Sequence, residues 1–294
     1  MKYAWIKEHR DSYPVALMCQ LLEVSKSGFY QSLKAAPSPR AQRSQRIRES
    51  VAKAFEQSNG IYGSPKISKQ LKSEVELESA CRNTVAKAMA EMGLKSKVRR
   101  DFKPTTTQVD SSKKPAANIL NQNFKATAPN QKWVTDITYL RTAEGWVYLA
   151  VVLDLFSRKV VGWEVSPTLE TSLVLGALRK AIESRNPAGK QLMLHSDRGC
   201  QYTSDVYQQT LKAMQITCSM SRTGCCYDNA VMERFFWSLK LEWTNHEQYE
   251  NLEAAKLSVF RYIETFYNRT RIHEALNYQS PDGFERSHLL TLAV

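Results

Sequence analysis

The spacing of apolar residues changes character about a third of the way along the chain. Up to residue 94 the apolar positions recur at helical intervals, and the segments are short. From residue 132 onward, runs of β-branched and aromatic residues predict strands at 132–140, 146–154 and 158–166, with a tight turn near Glu144-Gly145. A helix is predicted at about 170–185, a strand at 191–196, a helix from about Ser204 to Met214, and a strand at 216–220. A loop at 221–227 leads into a helix carrying Glu233, and another helix covers 252–268. Three hairpin strands followed by alternating helices and strands imply an α/β core, a mixed sheet with helices on both faces.

The helical part reads as two helix-turn-helix candidates. In the first, residues 15–22 form a short apolar helix, Glu23-Val24-Ser25 the turn, and residues 26–33 a second helix with Ser25 as N-cap. A helix-turn-helix sets the start of its second helix in the major groove, which nominates Lys26, Ser27 and Tyr30. Residues 37–48 are Pro-rich and then basic, a connector into a helix through Phe55. The second candidate covers 61–94: Ser64 is the expected N-cap, Pro65 the first helical residue, and Gly93 the end of a helix whose apolar side is Val85, Met89 and Met92. Arg82, Asn83, Thr84 and Lys87 would open that helix and face DNA. A plain helical hairpin or three-helix module is the competing reading of either segment.

Charge divides along the same line. The chain has 294 residues and a net charge of +12, long enough for about two domains. Residues 1–128 hold 23 Lys+Arg against 11 Asp+Glu, whereas 129–294 hold 18 of each. The whole excess therefore lies in the first part, which fits a nucleic-acid-binding arm on a near-neutral core. The expected divisions are 1–58, 59–94, a basic linker at 95–128, the core at 129–285 and a tail at 286–294. The linker clusters Lys95, Lys97, Arg99, Arg100 and Lys103 ahead of a polar run that cannot bury much. The six cysteines show no C-x-x-C spacing, and no apolar run spans a membrane, so a reduced, cytoplasmic and nucleoid-associated protein without zinc is expected.

Three acids stand out. Asp136 lies inside the strand Trp133-Val134-Thr135-Asp136-Ile137-Thr138-Tyr139. Asp197 follows the apolar run Leu192-Met193-Leu194, and 35 residues separate it from Glu233. Buried carboxylates repel unless a cation lies between them, and hard divalent cations take such oxygens. Ordinary surface acids are the competing reading on the pattern alone.

Residues 129–285 resemble the catalytic core of the retroviral-integrase-like DDE transposases. The matching pieces are the Asp136 strand, Asp154-Leu155-Phe156-Ser157-Arg158 with Val161-Gly162-Trp163, and His195-Ser196-Asp197-Arg198-Gly199-Cys200-Gln201-Tyr202. Tyr227-Asp228-Asn229-Ala230 with Glu233 follows, then a tail of Asn268-Arg269, His273, Leu276, Tyr278, Ser280-Pro281 and Phe284-Glu285. The nearest resemblance is to the second-frame product of the bacterial insertion sequence three family. It implies a ribonuclease H-like core, Asp136, Asp197 and Glu233 as catalytic metal ligands, and two Mg²⁺ ions, with Mn²⁺ an expected substitute. The implied activity is cleavage of the ends of an element and joining of the 3′ hydroxyls to target DNA. The implied partners are double-stranded DNA (terminal inverted repeats and target), further copies of the chain in a homo-oligomeric synapse, and an upstream-frame product; no membrane is involved. Rival readings are a DNA-binding regulator with a non-catalytic core, and a ribonuclease H-type hydrolase. Two cysteines, Cys225 and Cys226, stand where the family more often has polar residues. Arg222 in that loop is a further candidate DNA contact. Lys240 shares a helix face with Glu233 seven residues on, about 10 Å along the axis, where it would hold a phosphate of the terminal nucleotides. A solvated lysine is the alternative.

Overall fold

The computed structural model describes residues 2–34, 38–72, 77, 80–97, 115–187, 191–222 and 225–292. At its start, α1 (Lys2–His9), α2 (Val15–Leu21) and α3 (Lys26–Lys34) enclose a small core of Ile6, Met18, Cys19 and Phe29. The sequence pattern did not announce α1, because Ile6 is its one buried residue. Ser25 caps α3 as expected, its hydroxyl accepting the Gly28 N–H at 3.2 Å.

The expected connector at 37–48 is largely helical instead. α4 runs Pro39–Gln57, with the Ser38 hydroxyl accepting the Ala41 N–H at 3.2 Å and proline in the first turn. Ser-Pro is a start signal, and no breaker interrupts the basic residues that follow. α5 (Ser64–Leu71) and α6 (Arg82–Glu91) pack with α4 around Ile47, Val51, Ile67, Leu71, Val85 and Met89. Gly63, rather than Ser64, occupies the N-cap of α5, and no side chain caps it. Gly93 ends α6 in the left-handed region (φ +68°), where glycine carries no steric penalty.

The sheet has the order β3-β2-β1-β4-β5. β1 (Lys132–Thr142), β2 (Gly145–Asp154) and β3 (Val160–Ser166) form antiparallel hairpins. After α7 (Thr171–Arg185), β4 (Met193–Ser196) joins β1 in parallel. After α8 (Cys200–Thr203) and α9 (Asp205–Ala213), β5 (Thr217–Met220) joins β4 in parallel. Alternation along the strands divides the core in two. Trp133, Ala150 and Val152 pack against α7 and α9 through Leu173, Val174, Ala177 and Leu211. Val134, Leu140, Val147, Leu149 and Val151 pack on the other side, with α10 (Ala230–Glu242) and α11 (Leu252–Phe260). α7 lies so close to β3 that a Cβ on Gly162 would collide with the Ala177 carbonyl and the Ala181 backbone N.

Two sequence motifs turn out to be scaffolding. The Asp154 carboxylate accepts the Asn130 N–H at 2.8 Å and the Phe156 N–H at 2.9 Å, tying the β2–β3 turn to the approach of β1. The Asn268 side chain pairs with both backbone groups of Val160 at 3.0 Å, starting β3. Glu285, on α12 (Pro281–Leu292), accepts from Ser157 at 2.6 Å and from Arg185 at 2.9 Å. The helix expected at 252–268 widens to a π-helical stretch over Arg261–Tyr267, which presents Tyr262, Ile263, Phe266 and Tyr267 to the core.

The α4–α6 unit joins the core there. Tyr62 accepts the Ile272 N–H at 2.8 Å and donates to the Thr270 carbonyl at 3.3 Å. Beneath it lies a buried ion pair, Arg271 Nε to Glu242 Oε2 at 2.6 Å, with Tyr262 donating to the same oxygen at 3.1 Å. Burial pushes the nearby Lys66 ammonium down to about 8, and the Arg271 charge adds to the effect. Removing one member of a buried pair leaves an uncompensated charge, at a cost of roughly 3–5 kcal/mol. Arg271→Met is therefore expected to lower stability by that amount in urea denaturation, and adding Glu242→Gln should recover a substantial part. A double variant as unstable as the single would show that the pair's charges do not set the loss.

Candidate active site

β1 and β4 run parallel with Val134 opposite His195. Two residues further along, Asp136 continues in β1 on the side where α10 packs, while Asp197 stands one residue past the end of β4, close enough for its charge to act on Asp136. Both acids are half-buried, whereas Glu233, in the first turn of α10, is exposed. The Asp136 Oδ1 accepts the Ile137 N–H at 2.8 Å, and the Asp197 Oδ1 accepts the Gly199 N–H at 3.0 Å.

Desolvation pushes the Asp136 carboxyl well above the usual carboxylate range. The charge of Asp197 pushes the same way, and that of Glu233 adds to it; the Ile137 N–H and the Lys240 ammonium oppose them. Asp197 is also raised by desolvation, against the Gly199 N–H, and Glu233 is raised by desolvation. Asp136 and Asp197 thus meet where water screens them poorly, with Glu233 near them on the exposed side. This is a set of hard oxygen donors suited to a divalent cation. Among the described residues, no three His, Cys, Asp or Glu side chains already stand as a ready metal shell.

The neighbours of the acids are fixed by polar contacts the strand pattern could not reveal. Buried His195 bridges two hydroxyls, Nδ1 to Ser219 at 2.9 Å and Nε2 to Ser221 at 3.1 Å. Ser219 Oγ already accepts the Ile119 and Leu120 N–H groups at 2.9 and 3.0 Å, so its own proton goes to Nδ1 and the imidazole carries hydrogen on Nε2. Burial pushes this histidine down to about 4, so it is neutral near pH 7. The Asn229 amide donates to the Thr135 carbonyl at 3.4 Å, fastening the start of the Glu233 helix beside Asp136.

Asp228 closes the loop before α10. Its fully buried carboxylate accepts from Asn118 at 2.8 Å, Gln122 at 3.0 Å, the Arg222 backbone N–H at 2.8 Å and the Arg222 guanidinium at 3.0 and 3.1 Å. Arg222, expected at DNA, is thereby engaged within its own loop. Residues 115–128, expected as linker, run against β5 and bury Leu120, so this part of the predicted linker packs with the core. Acid spacing alone carried no signal for Asp228; its place directly before Asn229 in the Tyr-Asp-Asn-Ala motif was the available clue.

Lys240 is half-buried with its ammonium 4.5 Å from the Tyr139 ring centroid. Desolvation lowers it and Asp136 opposes the shift, so its charge acts on Asp136. Arg82, Asn83, Thr84 and Lys87 are exposed at the start of α6, and Lys26, Ser27 and Tyr30 at the start of α3. Arg99 and Arg100 lie outside the described residues.

Comparisons with known proteins identify the family of the chain. An integrase core domain model matches residues 126–226, a second integrase core domain model 214–281, and an HTH-like domain model 42–102. The transposase InsF for insertion sequence IS3A of Escherichia coli (strain K12) is 40% identical over 98% of this chain and 100% of its own length. The chain belongs to the IS3 family of transposases. A further relative, the transposase for insertion sequence element IS904 of Lactococcus lactis, is 41% identical over 82% of this chain and 93% of its own length. Among solved structures, the HTLV-2 integrase catalytic core domain in complex with magnesium covers 55% of this chain and 99% of its own, at 18% identity and a TM-score of 0.40. The IS3-family chain is thus a DDE-type polynucleotidyl transferase with an integrase-like core and a helical HTH-like region.

The Asp228 contacts have a pH signature. The Arg222 guanidinium holds this carboxyl well below the usual range, with the Arg222 N–H and Gln122 adding to it against desolvation. A carboxyl depressed in the fold contributes stability that is present above its unfolded pKa of about 3.9 and is lost as pH falls through the lower folded value. Asp228→Asn should therefore lower the melting temperature at pH 7 and flatten its decline below about pH 4. Parallel acid-melting curves for the two proteins would contradict this.

Proposed function

We propose that this IS3-family transposase cleaves the ends of its element and joins the freed 3′ hydroxyls to target DNA by direct transesterification. The observation that supports the reading best is the approach of Asp197 and Glu233 to Asp136, whose carboxyl their charges push further toward protonation. Two Mg²⁺ ions held by these residues, with Mn²⁺ an alternative, would supply the activation of an attacking water or hydroxyl and the neutralisation of the leaving oxygen. The protein's own part is to hold the donors still. Asp136 is oriented by the Ile137 N–H, Asp197 by the Gly199 N–H, and Glu233 by the Asn229 anchor at its helix start.

The partners follow from the arms. The positive excess of residues 1–128 suits duplex DNA, with α3 and α6 offering exposed helix starts to the grooves. Bringing two element ends together requires at least two copies of the chain, and an upstream-frame product is a further candidate partner. No described helix is long and apolar enough to cross a membrane. A cytoplasmic, nucleoid-associated location accords with this set of partners.

Two outcomes test the proposal. Asp136→Ala, Asp197→Ala and Glu233→Ala should each cut cleavage and joining by at least about a hundredfold, the upper range for groups that only support metal ligands. Retention of duplex on filters should change little, and near-normal joining by Glu233→Ala would overturn the assignment. In the DNA-binding arm, Arg82→Ala with Lys87→Ala should reduce the slope of log affinity against log salt by about 2, since each phosphate contact releases about one counterion. An unchanged slope would remove α6 from the DNA interface.

A further inference from the structure

β1 outruns its parallel neighbour. β4 pairs with it at Lys132, Trp133 and Val134, while β1 continues to Thr142 alongside β2. The far half of the β1–β2 hairpin therefore projects beyond the acids. Cross-strand register pairs Tyr139 with Tyr148 and Arg141 with Trp146, so these four side chains share one face of the hairpin.

Two of them are large aromatics left open to solvent, Tyr139 at 43% and Trp146 at 48% exposure. Their rings meet edge to face, with centroids 5.0 Å apart. Each has a cation over it: Lys240 Nζ lies 4.5 Å from the Tyr139 centroid and Arg141 Cζ 5.0 Å from that of Trp146. Tyr139 is three residues beyond Asp136, about 10 Å at about 3.3 Å per strand residue; alternation turns it to the other face of β1, and Lys240, whose ammonium lies over the Tyr139 ring and acts on Asp136, links the two past the end of β4. That reach equals about three nucleotides at about 3.4 Å each along a B-form axis.

Exposed rings interleaved with cations are the surface that proteins use to hold unpaired nucleotides: the rings take bases and the cations take phosphates. A fully paired duplex cannot stack on such rings, because its bases already stack on each other. We propose that Tyr139 and Trp146 form a stacking platform for an unpaired nucleotide of the strand being cut, within about three nucleotides of the reacting phosphate. Arg141 and Lys240 lie against the flanking phosphates. The platform captures a frayed base at the element end and so helps to open the duplex beside the acids. This inference rests on the reading of Asp136, Asp197 and Glu233 as the cleavage site.

The test uses the full-length chain and duplexes copied from the DNA bordering its coding frame. One duplex is fully paired, and the other is mismatched at the three pairs beside the cleavage position. Trp146→Ala should cut cleavage of the paired duplex about tenfold, the scale of one base stacked on an aromatic ring. On the mismatched duplex, where opening is already done, the loss should shrink to about twofold. Trp146→Phe, which keeps a ring on the same exposed position, should cleave the paired duplex at a rate nearer wild type than Trp146→Ala does. Equal losses on the two duplexes, or no loss on either, would overturn the platform. Asp136→Asn checks the underlying reading separately: it should cleave neither duplex, and cleavage by it would indict the carboxylate site rather than the hairpin.

Discussion

The structure is governed by the parallel register between β1 and β4. With Val134 opposite His195, Asp136 lies two residues further along β1 and Asp197 leaves the end of β4 beside it, near enough for its charge to act on Asp136. The facing of Asp136 is fixed by parity along β1, and Asp197, one residue past β4, is held by the Gly199 N–H on its carboxylate. Two half-buried carboxylates then share a region of poor screening, and Glu233 adds a third from the helix above. Such a cluster opposes its own ionisation, a cost that sites built for hard cations accept.

The surrounding architecture preserves that register. His195 sits between two serine hydroxyls and links β4 to β5, and the Ser219 hydroxyl extends the chain to the backbone at 119–120. Asp228 gathers Arg222, Asn118 and Gln122 and so limits how far the loop before α10 can wander. Asp154, Asn268 and Glu285 perform the same service at the opposite edge of the sheet. The α4–α6 unit, docked through Tyr62 above the Glu242–Arg271 pair, is joined to the core by hydrogen bonds to backbone. Under the proposed function, DNA on that unit would be referenced to the acids.

Much of this was legible in the sequence, and the limits have physical causes. The positions of the core strands followed from periodicity, because Trp133 to Leu140 and Val147 to Leu153 alternate or run apolar as sheet residues must. The start of α4 was missed because its first turns are basic and solvent-facing, with no apolar period to betray them. The ion pair of Arg222 was not legible because a cation in a loop looks the same whether it faces solvent or, as here, also pairs with a buried aspartate of the same loop. The packing of residues 115–128 was hidden because it depends on one leucine and on backbone hydrogen bonds to Ser219. Long-range pairs such as Glu242 with Arg271 leave no local trace at all.

The central claim is that Asp136, Asp197 and Glu233 hold one divalent-cation site. Iron-directed backbone cleavage tests it without DNA or turnover. Fe²⁺ loaded in place of Mg²⁺, with ascorbate and peroxide, cuts the polypeptide close to the bound ion. The account predicts cuts near residues 136, 197 and 233 together, suppressed by excess Mg²⁺ and absent in Asp197→Asn. Cuts confined to other parts of the chain, or cuts near the three acids that Mg²⁺ does not suppress, would contradict it.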